Sequence, residues 1–386
     1  MQIYLDYSAT TPPRPEVIAL MQTVMAEQWG NPSSLHHWGN RSAIALERSR
    51  AQIGRLVNAP AETIVFTSGG TEADNLALCG ITQQYAQPQH LIISSVEHSA
   101  VAEPARQLER QGWQVTRLLV DGTGRIDPMD LEAAIQPNTV LISIIWGQSE
   151  IGTVQPIAQL GAIARRRGVI FHTDAVQIAG RLAIDVQTLP VDLLSISSHK
   201  IYGPQGAGAL YVRPDVTLLP MMRGGGQEDG WRSGTQAIGV LAGFGLAAEL
   251  IQSEMGEESH RLMLLRDQLF EQLAGTGLKP TGSLINRLPH HASFWMPDAD
   301  GETLSGKTLV RQMNLAGIGI SAGAACSSGK LSPSLIMKAI GFNDRMAKTG
   351  IRLSLGRSTT VEDINWTVMA LKQVLNRVAM GVAIGS

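Results

Sequence analysis

The sequence is short of cysteine. It has two in 386 residues, Cys79 and Cys326, far apart. That supports neither a disulfide framework nor a metal-ligand spacing, so no metal site is expected. Charged residues are also few, at 17% against the roughly 25% usual in soluble domains. This fits a chain with much buried surface and a large oligomer interface. No charge excess of either sign recommends nucleic acid or an anionic membrane as partner, since the formal net charge is −2. The first residues, MQIYLDYSAT, lack the basic and apolar regions of a signal peptide. The longest apolar run, Ala237 to Ala248, is broken by glycine and closes at Glu249, too short to span a bilayer. The expectation is a soluble, cytoplasmic protein without nucleic-acid or membrane partners.

What the chain does have is glycine, 40 residues of it, and a regular alternation of strand and helix patterns. Apolar runs at 64–67, 90–94, 113–119, 140–145, 169–172, 193–197 and 209–212 read as strands. Helices are expected over 16–28, 37–57, 71–86, 127–135 and 156–167. Such alternation predicts an α/β fold with a mostly parallel sheet and helices on both faces. The length allows two domains. The polar stretch Ser253 to His260, after a helix near 237–253, reads as a domain boundary. A large domain over 16–255 and a smaller α+β domain from 1–15 and 256–386 are expected.

Polar groups collect just past the apolar strands: Gly70-Thr71, Glu97-His98, Ser149-Glu150, Asp174 with Gln177, and Ser197, His199 and Lys200. In open α/β sheets, ligands bind outside the carboxyl ends of the strands. Each group has a plainer reading. Ser68 to Glu72 could be only a helix cap, His98 a satisfied partly buried histidine, and Lys200 a lysine leaving its strand into water. Together they describe more. Glycines at a helix N-terminus make an anion site. A desolvated amine is the form that condenses with aldehydes. A strand-end carboxylate keeps a ring nitrogen protonated. Pyridoxal 5′-phosphate needs all three.

The chain resembles the cysteine desulfurases, the NifS/IscS-like group within the class-V aminotransferase fold. The resemblance runs nearly end to end. It passes through YLDYSATTPP (4–13), NPSSLH (31–36), FTSGGTEADN (66–75), EHSAV (97–101), EIGTVQPI (150–157), FHTDAVQIAG (171–180), SSHKIYGPQGAGALYV (197–212), GGGQ (224–227), RSGT (232–235), SAGAACSSG (321–329) and IRLSLGR (351–357). It implies the aspartate-aminotransferase-like fold of pyridoxal-phosphate-dependent transferases.

Residue by residue, the resemblance makes Lys200 the lysine that joins the cofactor's aldehyde and the base at the substrate Cα. Asp174 would pair with the ring nitrogen, Gln177 would hydrogen-bond the ring hydroxyl, and His98 would stack on the ring and act in catalysis by shuttling protons. Gly70, Thr71, Ser197 and His199 belong to the phosphate site, and Thr235 would reach the phosphate of a neighbouring subunit in a homodimer. Arg352 would clamp the substrate carboxylate, and Asn31 would line the substrate pocket. Cys326 would be the nucleophile that takes sulfur from L-cysteine as a persulfide, leaving L-alanine. The sulfur would then pass to an acceptor protein such as an iron–sulfur scaffold. Cys79 lies in the helix among Leu76, Ala77 and Leu78 and reads as a small core residue, since free cysteine is among the most buried types.

The chain departs from the pattern at Gln148-Ser149, where the family usually has Asn-Asn; Ser149 takes the place of the second Asn as a cofactor-binding residue, and being shorter it would contact the ring hydroxyl weakly or through a water. Asp229 and Ala324 also depart. Two other readings stand beside the desulfurase. One is a cysteine/cystine C–S lyase or selenocysteine lyase on the same fold. The other is a non-catalytic scaffold or regulator.

Overall fold

Seven strands make one sheet, in the order Ile64–Thr67, Gly208–Val212, Leu193–Ser197, Ile170–Asp174, Thr139–Ile145, His90–Ser94, Gln114–Leu118. The computed structural model describes residues 2–297, 304–323 and 332–379. Runs such as HLIIS and LLSIS are buried at every position. Helices therefore cover both faces, as continuous apolar strands require. Only the edge strand QVTRL leaves residues exposed.

Four strand pairings in this sheet are parallel. Gly208–Val212 runs antiparallel to both of its neighbours. The cause is local. Only residues 198–207 separate it from Leu193–Ser197, too few for a crossover helix. The loop that bears Lys200 is therefore a reversal at the carboxyl edge of the sheet.

The expected boundary at 253–260 falls inside one continuous helix, Ile238–Leu273. Sequence reasoning ended the helix there because the stretch is polar. The polarity instead marks where the helix passes from one core to another. Its first half packs Leu241, Phe244 and Ile251 into the core beneath the large sheet. Its second half packs Leu262, Leu265 and Leu269 into a second core. Nothing in SEMGEESH breaks a helix, because it has no proline and its one glycine is tolerated. This helix is long and apolar enough to cross a membrane by length and composition, but much of it is buried inside the fold.

The second core lies under a four-stranded antiparallel sheet, in the order Ser321–Ala322, Ile351–Ser354, His291–Trp295, Lys279–Pro280. The N-terminal strand Ile3–Tyr4 pairs with Ile318–Gly319. From there residues 5–14 cross to the large sheet. The Leu5 amide donates to Gly319 O at 2.8 Å and the Thr11 amide to His199 O at 2.9 Å. Arg14 then makes a two-pronged pair with Glu254. This crossing carries Asp6, Ser8 and Ala9 over the end of the sheet.

Candidate active site

Lys200 ends a short 3-10 turn, Ser198–Lys200, directly after its strand. Its Nζ donates to Ser8 O and Ala9 O, both at 2.7 Å. Two residues on, Tyr202 takes a left-handed backbone, φ 65°. A non-glycine residue tolerates this only when its surroundings fix it. Here Thr11 Oγ1 accepts the Tyr202 amide, Arg357 N donates to its hydroxyl, and Arg14 and Arg181 lie over its ring. The crossing segment and the lysine loop thus hold each other.

Beside the lysine is a cavity of about 380 Å³ lined by Ser68, Gly69, Gly70, Thr71, Ser197 and His199, with Glu72 at its rim. The helix Gly70–Thr82 starts at its wall, so unpaired backbone N–H groups face inward. A Cβ on Gly70 would lie 2.8 Å from Val176 Cγ2, so only glycine fits there without displacement. Ser197 Oγ is fully buried and has no hydrogen-bond partner. Leaving such a buried group unpaired costs about 1–3 kcal/mol, which a hydrogen-bonding ligand would recover. His199 Nδ1 lies 3.1 Å from Thr10 Oγ1. Burial, then Lys200, pushes His199 down to about 4, so its ring is neutral.

The floor is acidic. Asp174 ends its strand almost fully buried and accepts the Val176 amide at 2.9 Å. The ligating atoms of Asp174, Asp74 and His98 all lie within 4.8 Å of one another. Burial raises Asp174, while His98 and Lys200 pull the other way. At Asp74 a Ser195 hydrogen bond pulls down against burial and the neighbouring Asp174. Asp74 is buried in the helix Gly70–Thr82, with the neutral His172 ring 3.6 Å away, and burial followed by Asp174 holds it well above the carboxylate range. Burial thus disfavours charge on both acids, and His98 and Lys200 offset it at Asp174. Burial also pushes Glu97 up to about 8, although its Oε1 accepts the Ile145 amide at 2.9 Å.

At the far side, Arg352 Nη2 pairs with Asp6 at 2.6 Å and Nη1 donates to Ser149 O at 3.0 Å. Its buried Nε has no hydrogen-bond partner. The group that Ser149 supplies is thus its carbonyl, which His291 Nε2 also engages at 3.0 Å. Glu150 accepts the Ser334 hydroxyl, and burial pushes it up to about 7.

The profile of the aminotransferase class-V family matches residues 3–366. The chain belongs to that family. A cysteine desulfurase IscS of Dictyoglomus turgidum is 41% identical over 379 residues, covering 97% of this chain and 95% of the relative. A solved structure titled as a NifS-like protein superposes with TM-score 0.90 at 30% identity, covering 97% of this chain and all of that one. One titled as SspA in complex with cysteine superposes with TM-score 0.82 at 34% identity, covering 92% and 99%. The cofactor of this class-V aminotransferase is pyridoxal 5′-phosphate, and the residues fit it. The cavity has an unpartnered hydroxyl for a phosphate, Lys200 offers an amine, and Asp174 offers a buried carboxylate.

Of the residues expected from the sequence, the structure brings Gly70, Thr71, His98, Asp174, Ser197, His199 and Lys200 to one edge of the sheet. Gln177 is there too, but its amide donates to Ser8 O at 2.8 Å, the carbonyl Lys200 also uses. Asn31 is exposed, and its side chain accepts the Ser33 amide within its own turn. Thr235 is exposed and does not line its own chain's cavity. Cys326 and Ala324 lie outside the described residues. Cys79 is half-buried rather than core, because its side of the helix faces a groove against Ser99–Arg110. Sequence reasoning missed Asp6 and Asp74. An acid inside a helix or in a turn-rich segment carries no sign that the fold will bury it.

Proposed function

We propose that this chain is a pyridoxal-phosphate-dependent cysteine desulfurase. It converts L-cysteine to L-alanine and moves the sulfur to Cys326 as a persulfide. The observation that carries the reading is the placement of Lys200 between an anion cradle with an unpartnered Ser197 hydroxyl and the buried Asp174. Full-length similarity to cysteine desulfurases, together with Cys326 in SAGAACSSG, supports the substrate.

The bound cofactor supplies an electron sink for the bonds at the substrate's Cα and Cβ. The protein's own groups do the rest. Arg352 orients the substrate carboxylate with a guanidinium already fixed by Asp6 and Ser149 O. Lys200 moves the Cα proton, from a position set by the Ser8 and Ala9 carbonyls. Asp174 keeps a positive charge on the ring nitrogen, and His98 stands beside it. The Cys326 thiolate attacks the substrate sulfur: the S–S bond forms as the Cβ–S bond breaks, the electron pair of that bond stays with the carbon fragment, and protons added at Cβ and Cα make it alanine. The persulfide then passes to an acceptor protein such as an iron–sulfur scaffold. A cytoplasmic homodimer, with Thr235 reaching the other subunit's phosphate, completes the proposal.

The test feeds L-cysteine to the holoenzyme and to Cys326→Ala. Alanine formation with an added sulfur on Cys326, both lost in the variant, is the expected result. Pyruvate as product, or undiminished sulfur release by the variant, would make the protein a C–S lyase.

A further inference from the structure

A carboxylate residue lines the cavity where the anion is to bind. Glu72 lies in the first turn of the helix whose N-terminus walls the phosphate cavity and is one of the residues lining it. Its Oε2 accepts the Ser68 amide at 2.7 Å, removing one N–H from those available to a phosphate. A negative group here works against phosphate binding unless it is neutralised. Arg232 is placed to do that. Its Nε donates to Glu72 Oε1 at 2.8 Å and its Nη2 to Oε2 at 3.4 Å. The side chains are only 15% and 22% exposed, so solvent screens the pair little. Burial raises Glu72, but the Arg232 and Ser68 hydrogen bonds outweigh it and the carboxyl stays charged.

The loop that delivers Arg232 is itself fastened to the strand that leads into the cradle. Glu228 is buried, and its Oε2 accepts Arg50 Nη1 at 2.6 Å and the Phe66 amide at 2.9 Å. Its Oε1 accepts Arg50 Nη2 at 3.0 Å and Gln236 Nε2 at 3.1 Å. Glu228 and Asp229 are consecutive non-glycine residues with positive φ, 49° and 53°. Strain of this kind persists where surrounding contacts dictate it. Two carboxylates thus brace one loop against the cradle, at Phe66 and at Ser68.

We propose that Arg232 is a positioning and charge-compensating residue of the cofactor-phosphate site, holding Glu72 off the bound phosphate rather than binding the phosphate itself. This rests on the reading of the cavity as the site of a pyridoxal phosphate.

The experiment is a double-mutant cycle on the full-length apoprotein, with the dissociation constants of pyridoxal phosphate and of phosphate-free pyridoxal read from cofactor absorbance. Arg232→Gln exposes the phosphate to an uncompensated carboxylate. It is expected to weaken pyridoxal phosphate about tenfold and to leave pyridoxal within about twofold. Glu72→Gln keeps the Ser68 bond and should bind pyridoxal phosphate at least as tightly as wild type. The double variant should return to within about threefold of wild type. A double variant no better than Arg232→Gln would overturn the proposal in favour of direct phosphate ligation by Arg232. Equal weakening of both ligands by Arg232→Gln would overturn it in favour of a purely structural role. If wild type binds pyridoxal phosphate no better than pyridoxal, the functional reading of the cavity fails first, and this inference with it.

Discussion

The two ends of the cofactor site handle charge in opposite ways. The phosphate end is built from neutral donors: helix N–H groups, the Ser197 hydroxyl and a His199 ring held neutral by burial. The carboxylate at its rim, Glu72, is paired with Arg232. The floor gathers three buried carboxyls, Asp174, Asp74 and Glu97, without a matching cation for each. It limits the charge by retaining protons. The contrast shows that one sheet edge can offer both an anion site and a cation site only if unwanted charge is cancelled differently at each. A salt bridge serves at Glu72, where the partner arginine lies within reach and solvent screens the pair little. Protonation serves at the floor, where an isolated carboxylate would be too costly.

The sharpest test separates the two aspartates. Asp174→Asn removes the charge that faces the ring nitrogen and should lower kcat/KM about a hundredfold or more. Asp74→Asn replaces the acid whose charged form burial and Asp174 both disfavour, and should stay within about threefold of wild type. Steady-state alanine formation measures both. Equal losses would mean that the proton sits on Asp174 or is shared evenly.

Ser197→Ala probes the other end. It removes a buried hydroxyl reserved for the ligand and should weaken pyridoxal phosphate about tenfold, with pyridoxal almost unaffected. Absorbance titration of the apoprotein reads both. A loss for both ligands alike would show that the hydroxyl serves the fold instead, and would remove the contrast between the two ends.

The sequence made the strands and the groups at their carboxyl ends legible, because a short apolar run that stops at polar or glycine residues is most simply a buried strand reaching the edge of its sheet. Lys200, Asp174, Ser197 and Gly70 follow from that pattern. What it hid has specific causes. The partnership of Glu72 with Arg232 joins residues far apart in the chain, one read as part of a helix cap and the other only as part of a motif. Asp74 is an acid in the middle of a helix, and only the tertiary fold puts it beside Asp174. The Ser8 and Ala9 carbonyls that hold Lys200 are backbone atoms, to which residue identity is blind. The antiparallel strand at 208–212 follows from loop length, but apolar periodicity reads the same in either direction. The helix through 253–260 was obscured because a polar stretch looks alike whether it ends a helix or bridges two cores.

The smallest expected effect concerns stability and isolates the floor from catalysis. Glu97 titrates near 4.5 when unfolded and at about 8 when folded. The folded chain therefore holds the extra proton between those values. Its contribution is complete below the lower one and is lost as pH rises through the upper one. His172 acts on the other flank. Burial pushes it from 6.5 down to about 3, so stability is lost as pH falls through that range. Glu97→Gln keeps the acceptor oxygen for the Ile145 amide and removes only the titration. The wild-type apoprotein should lose melting temperature between about pH 6 and about pH 8. The variant should lose about 2–4 °C less over that interval, while the acid limb set by His172 stays unchanged. Asp74 keeps part of the slope in both proteins, so the variant's curve is flatter and not flat. Superimposable curves would show that Glu97 is ionised in the folded chain, held by its Ser94 and Ile145 donors, and that the floor carries one more charge than burial alone allows.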